Sequence, residues 1–87
     1  MQALPLQIWA PAFTRKFDAL PTKVQTAVQL KIDEMARRVA EFHHERLQGR
    51  PEFKLRVGNY RVLYAFDLTK GQIYLLSIGH RRDIYKR

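Results

Sequence analysis

The stretch FKLRVGNYRVLYAF, residues 53–66, decides the fold. On both sides of Gly58-Asn59, every second residue is large and apolar or aromatic, which is the period of two that β-strands show. A Gly-Asn pair suits a tight two-residue turn, so the two halves are predicted to form an antiparallel hairpin. With Gly58 and Asn59 as the loop, Arg56 faces Arg61. The cations of the hairpin then lie on one face of the sheet.

The chain before the hairpin has a helical period instead. Pro11 can open a helix in which Phe13 and Phe17 lie on one stripe, and Pro21 interrupts that helix. The apolar residues of a second helix, predicted to run to about residue 42, recur at steps of three and four: Val24, Val28, Ile32, Met35 and Val39. Thr22 and Gln25 have the spacing of a capping box at its start.

The remaining segments complete a small α+β domain. Leu4 to Trp9 alternates around Pro5, which indicates a short edge strand. Residues 43–51 are polar and are predicted to be a connection, and residues 72–79, after a turn at 69–71, are predicted to be a buried strand. We therefore expect one domain, residues 1–87, with two N-terminal helices packed on one face of a mainly antiparallel sheet of about four strands.

Charge points to an anionic partner. The chain has 87 residues and a net charge of +8, and residues 46–87 hold ten basic against three acidic side chains. Such a field favours nucleic acid or an acidic protein. No cysteine, no long apolar run and no signal peptide are seen, so we expect a soluble cytoplasmic protein. The adjacent His43-His44 and the separated Asp67 and Asp83 make a weak metal signal, and we expect neither a metal nor another cofactor.

Lys54, Arg56 and Arg61 are the first candidates for a functional site. They share one face of the hairpin, where like charges repel and carboxylates are scarce, so an anion such as phosphate is expected to restore the balance. The segment GHRRDIY, residues 79–85, follows the last strand and adds cations, an imidazole and an aromatic ring on which a base can stack. Solvated cations that splay apart are the alternative interpretation.

These pieces together resemble the RelE branch of the RelE/ParE toxin superfamily. The motifs that carry the resemblance are LQGRP (47–51), the hairpin (53–64) and IGHRRDIY (78–85). The resemblance implies a RelE-like, microbial-RNase-like fold and a toxin that enters the ribosomal A site and cleaves mRNA. It also implies two kinds of partner: mRNA with the ribosome, and an antitoxin with acidic residues and an amphipathic segment.

The resemblance also suggests roles for individual residues. Lys54, Arg61, Arg81 and Tyr85 match the family's RNA-cleaving positions, and Arg56 is expected to contact phosphate. We expect further phosphate contacts from two other arginines, Arg50 and Arg82. The best-known relatives have a second lysine where this chain has Glu52, so the resemblance does not carry over the family's division of labour among the catalytic residues.

The residue types suit cleavage without a metal, in which the RNA's own 2′-hydroxyl attacks the adjacent phosphorus. Cations stabilise the pentavalent phosphate, and Tyr85 stacks on a base or helps to take the 2′-hydroxyl proton. Either His80 or Arg81 serves the leaving oxygen: an imidazole is the better acid, whereas the family comparison favours the arginine. Two alternatives stay open, a ParE-like inhibitor of DNA gyrase without RNase activity and a non-catalytic RNA- or ribosome-binding protein.

Overall fold

A computed structural model describes residues 4–85 and contains one mixed sheet covered by helices on one side. Along the chain the elements are β1 (Leu6–Trp9), α1 (Pro11–Asp18), α2 (Thr22–Arg37), β2 (Glu45–Arg46), β3 (Phe53–Val57), β4 (Tyr60–Asp67) and β5 (Gln72–His80). The strand order is β1-β5-β4-β3-β2, in which β1 runs parallel to β5 and the other neighbours are antiparallel. The α+β class and the helix-covered sheet are confirmed.

The hairpin has the predicted register. Val57 pairs with Tyr60 and Arg56 pairs with Arg61. Gly58 has a φ of 57°, a left-handed conformation that glycine adopts without steric cost, which explains the tight turn. The faces of β3 and β4 are therefore fixed by the turn.

Three details differ from the sequence expectations. The sheet has five strands among the described residues, and not about four, because part of the expected connection forms β2 beside β3. The second helix ends at Arg37 and not near residue 42: Arg38 has a φ of −126°, and the next residues turn back toward the sheet. The capping box does not form; Pro21 takes the N-cap position, and the Gln25 side chain donates to the carbonyl of Phe17 at 2.9 Å, closing the corner between the helices.

The core lies between the helices and one face of the sheet. Aromatic rings fill the α1 end, where Trp9 meets Phe13 and Phe17 edge to face, each at 4.9 Å between ring centroids. Fully buried side chains include Val28, Ile32, Met35, Tyr64, Ile73, Leu75 and Ile78. Burying such side chains is the main stabilising contribution to a domain of this size. Both helices lie on this face, so residues 4–85 place no helix on the other face of the sheet.

Neither helix found among residues 4–85 has the length and hydropathy of a membrane-spanning segment.

Candidate functional site

The helix-free side of the hairpin carries the predicted cations. Paired residues of neighbouring strands point to the same side of a sheet, so Arg56 and Arg61 share a face, and Lys54 lies two residues from Arg56 on that face. The apolar partners Leu55 and Val62 point the other way, into the core. We refer to the surface formed by Lys54, Arg56 and Arg61 as the cationic face.

A carboxylate also lies on the cationic face. Glu45 of β2 pairs with Lys54, and its two oxygens accept from Nε and Nη2 of Arg56 at 3.0 and 2.8 Å, while Oε2 lies 3.2 Å from Lys54 Nζ. The hydrogen bonds from Arg56, with further help from Lys54, lower the pKa of Glu45 to about 2. The expectation that carboxylates are scarce here was wrong, because it depended on residues 43–51 being a loop.

Arg61 is held at the hairpin turn. Its Nη1 donates to the carbonyl oxygens of Gly58 and Tyr60, at 2.9 and 2.8 Å. The backbone N–H of Arg81 donates to the carbonyl of Asn59 at 2.7 Å, so Arg81 lies beside the same turn. The structure thus brings Arg61 and Arg81 to one end of the sheet.

The turn that follows β5 folds back over the cationic face. A Cβ built on Gly79 would lie 3.2 Å from Cδ1 of Ile84, so Ile84 packs against Gly79 with no room for a side chain larger than a methyl group. Because Gly79 pairs with Arg61, this contact is on the cationic side of the sheet. The next residue, Tyr85, has its ring centroid 5.9 Å from Lys54 Nζ, a cation–π distance.

His80 lies on the opposite side of the sheet. It pairs with Tyr60, whose side is that of the core, and the two rings are 5.8 Å apart. The reason is a bulge: Tyr64 pairs with Leu75 and the preceding residue pairs with Ser77, so one residue of β5 has no partner and the alternation shifts by one. The His80 ring also accepts from the backbone N–H of Arg82 through Nδ1 at 3.2 Å.

The two other predicted phosphate ligands lie outside the cationic face or at its margin. Arg50 precedes β3, at the end away from the hairpin turn, and its Nε lies 3.2 Å from a carboxylate oxygen of Glu52. Glu52 has a pKa lowered first by a backbone hydrogen bond and then by Arg50. Arg82 is exposed on the turn after β5.

His44, just before β2, forms two partly buried hydrogen bonds that were not expected from the sequence. The carbonyl of Val39 can only accept, so Nε2 of His44 donates to it, at 2.7 Å, and Nδ1 accepts from the Tyr64 hydroxyl. Burial raises the pKa of Tyr64, which keeps the hydroxyl protonated. His44 is therefore a half-buried structural residue and not an exposed loop residue. The only available signal was the alternation of Phe42 and His44 with polar neighbours.

Comparison with known proteins identifies the class. The model of the ParE toxin family, described as the toxin of the type II toxin-antitoxin system parDE, matches residues 8–85. The chain belongs to this family of toxins, and the resemblance to the RelE/ParE superfamily is confirmed. No protein among those with curated functions matches.

Solved structures of RelE toxins share the fold. The RelBE2 toxin-antitoxin complex from Mycobacterium tuberculosis is 22% identical with a TM-score of 0.73, covering 95% of this chain and 98% of that chain. The isolated RelE toxin of E. coli is 18% identical with a TM-score of 0.74, covering 87% and 83%. The RelE-RelB complex of the archaeon Pyrococcus horikoshii is 17% identical with a TM-score of 0.75, covering 93% and 99%.

Proposed function

We propose that this toxin is a RelE-type endoribonuclease that cleaves mRNA in the ribosomal A site and so inhibits translation. One observation carries the proposal: Lys54, Arg56, Arg61 and Tyr85 lie on the helix-free face of the sheet, with the tyrosine ring 5.9 Å from the lysine ammonium. A cluster of cations beside an exposed ring suits a single RNA strand, whose phosphates pair with the cations and whose bases stack on the ring.

The arrangement suits cleavage by the RNA's own 2′-hydroxyl. Lys54 and Arg61 stabilise the charge that develops on the pentavalent phosphate, and the hydrogen bonds of Arg61 to the turn hold its guanidinium in place before substrate binds. Tyr85 stacks on a base or helps to take the 2′-hydroxyl proton. The products are a 2′,3′-cyclic phosphate and a free 5′-hydroxyl.

Arg81 is the better candidate for the leaving oxygen. His80 lies on the helix side of the sheet, away from Lys54 and Arg56, whereas Arg81 is hydrogen-bonded beside the turn that holds Arg61. An arginine hardly deprotonates, so its role is to orient the leaving oxygen or to polarise a water that protonates it. Under this assignment His80 supports the turn after β5 through its contact with the Arg82 backbone.

A cognate antitoxin completes the system. Toxin-antitoxin complexes among the structural neighbours support such a partner. The ten cations of residues 46–87 favour an antitoxin with acidic residues on an amphipathic segment. The cytoplasm, which holds both ribosomes and mRNA, is the compartment in which this toxin is proposed to act.

A translation extract programmed with one defined mRNA tests the proposal. The wild-type toxin should produce new 5′ ends at codon-spaced positions. Arg61→Ala should produce none, while Arg15→Ala, which removes the same charge from an exposed position of α1, should cut like wild type. Codon-spaced cuts by Arg61→Ala, or none by wild type, would reject the endonuclease.

The alternative is inhibition of DNA gyrase. The family description as a ParE toxin favours it, and so does Glu45, which neutralises part of the cationic face. A supercoiling assay with purified gyrase beside the extract separates the two functions. Slowed translation without cuts and without an effect on gyrase would instead indicate a non-catalytic protein that binds RNA or the ribosome.

A further inference from the structure

We propose that the Glu45 carboxylate occupies a phosphate position of the cationic face and is displaced from Lys54 and Arg56 when RNA binds. The inference deepens the proposed function and rests on it. Glu45 is then an internal competitor that sets the affinity of the toxin for its substrate, and it takes no part in the reaction itself.

The contacts of Glu45 are those that a phosphate would make. Nε and Nη2 of Arg56 donate to separate oxygens, and Lys54 Nζ reaches the second of them. A guanidinium forms the same bidentate hydrogen bonds with a carboxylate and with a phosphate, and an ammonium binds either anion as a point charge. The two cations are therefore already arranged around one anion.

The Glu45 side chain can move away from Lys54 and Arg56 without a change in the backbone. The preceding residue, His44, is fixed by its two ring hydrogen bonds, and the next buried residue, Leu47, donates its N–H to the Glu52 carbonyl at 2.9 Å. The carboxylate side chain of Glu45 is 39% exposed and that of Arg56 is 59% exposed, so both remain hydrated when they separate. Exposed ion pairs of this kind contribute little to stability.

Within residues 4–85, Arg61, the remaining cation of the cationic face, has no such competitor. Among the described residues, Arg61 donates to the backbone carbonyls of Gly58 and Tyr60, and no carboxylate is bonded to it. One phosphate can therefore approach Arg61 directly, whereas a neighbouring phosphate must displace Glu45. Glu45 therefore lowers the affinity for RNA at the phosphate position formed by Lys54 and Arg56, and not at Arg61.

Binding of a single-stranded DNA oligonucleotide tests the inference, because DNA lacks the 2′-hydroxyl and is not cut. The variants are Glu45→Gln and its control Glu34→Gln, which removes the same charge from an exposed position of α2, on the other side of the sheet. Fluorescence anisotropy should show that Glu45→Gln binds about two- to fivefold more tightly than Glu34→Gln, the factor expected when exposed ion pairs need not be broken. Its log–log salt slope should be steeper by about 0.7 for each additional phosphate that the protein neutralises.

Three results would overturn the inference. They are equal or weaker binding by Glu45→Gln than by Glu34→Gln, no binding by either variant, and loss of the folded state in Glu45→Gln, since a displaceable carboxylate is not needed for folding. The mRNA cleavage assay is independent of this measurement. If Glu45→Gln binds the oligonucleotide more tightly but the wild-type toxin cuts no mRNA, Lys54 and Arg56 still form an anion-binding position, and the proposed endonuclease activity is rejected.

Discussion

Replacing Gly79 with valine should detach Tyr85 from the cationic face. A Cβ at this position would lie 3.2 Å from Cδ1, 3.6 Å from Cβ and 3.7 Å from Cα of Ile84. The two γ-carbons of valine extend a further bond of about 1.5 Å, so they cannot share the space with the turn above them. Ile84 must move away, and Tyr85, the next residue, moves with it.

Gly79→Val should lower the cleavage rate strongly and change the stability of the fold little. Glycine inside a strand costs about 0.5–1 kcal/mol, so valine offsets much of what the lost Ile84 contact costs, and the free energy of unfolding should change by less than about 1 kcal/mol. A misplacement of about 1 Å in a catalytic group can lower a rate by about 100-fold, and we expect a loss of that size. Gly79→Ala should stay close to wild type, because the nearest atom is the end of a flexible side chain.

Two measurements check this prediction. The cleavage rate in the translation extract gives the loss of activity, and nuclear Overhauser contacts between the Tyr85 ring and the Lys54 side chain report the position of the tyrosine. Adding Ile84→Ala to the valine variant makes room and should recover part of the rate. Gly79→Val with wild-type cleavage and an intact Tyr85 contact would refute the role of the glycine.

Further predictions concern the supporting contacts. Arg61→Ala should lower the free energy of unfolding by about 1 kcal/mol, since two hydrogen bonds to the turn are lost, and a loss above about 3 kcal/mol in urea would make the residue structural. Tyr64→Phe leaves Nδ1 of His44 without its donor and should lower the free energy of unfolding by about 1–3 kcal/mol. The melting temperature should fall by about 4–8 °C for each kcal/mol lost, and an unchanged melting temperature would contradict the hydrogen bonds of His44. The pKa of Glu45, about 2 against an ordinary 4.5, means that its ion pairs stabilise the fold above pH 4.5 and are lost as the pH falls toward 2. Unfolding of Glu45→Gln should therefore depend less on pH in that window, and an unchanged profile would contradict the ion pairs.

The hairpin could be predicted because local rules determine it. A period of two, a Gly-Asn turn and the resulting pairing of Arg56 with Arg61 are all contained within 14 consecutive residues. Pro21 likewise separates the two helices at the expected place. These features need no knowledge of distant contacts, and the cationic face follows from them.

The parts of the site that could not be predicted depend on distant contacts. A two-residue strand has no period to detect, so the approach of Glu45 to Lys54 is visible only once β2 lies beside β3. The side on which His80 lies depends on the bulge in β5: strict alternation from the buried Ile73 would place it with the cations, and the extra residue reverses this. Gly79 was interpreted as the end of a strand, whereas it lies within β5 and leaves the space in which Ile84 packs.

The parallel pairing of β1 with β5 has a consequence for when the toxin becomes active during its own synthesis. Leu6 has no strand partner until Gln72 has been made, 66 residues later. β5 also pairs with β4 from Gln72 to His80, so β4, the central strand of the sheet, has its second neighbour only after residues 72–80 leave the ribosome. Contacts between such distant residues fold slowly, because the chain must first close a long loop. The ribosome that makes this toxin therefore synthesises residue 80 before the folded sheet exists, so the hairpin with Lys54, Arg56 and Arg61 is made before the strand that completes its support.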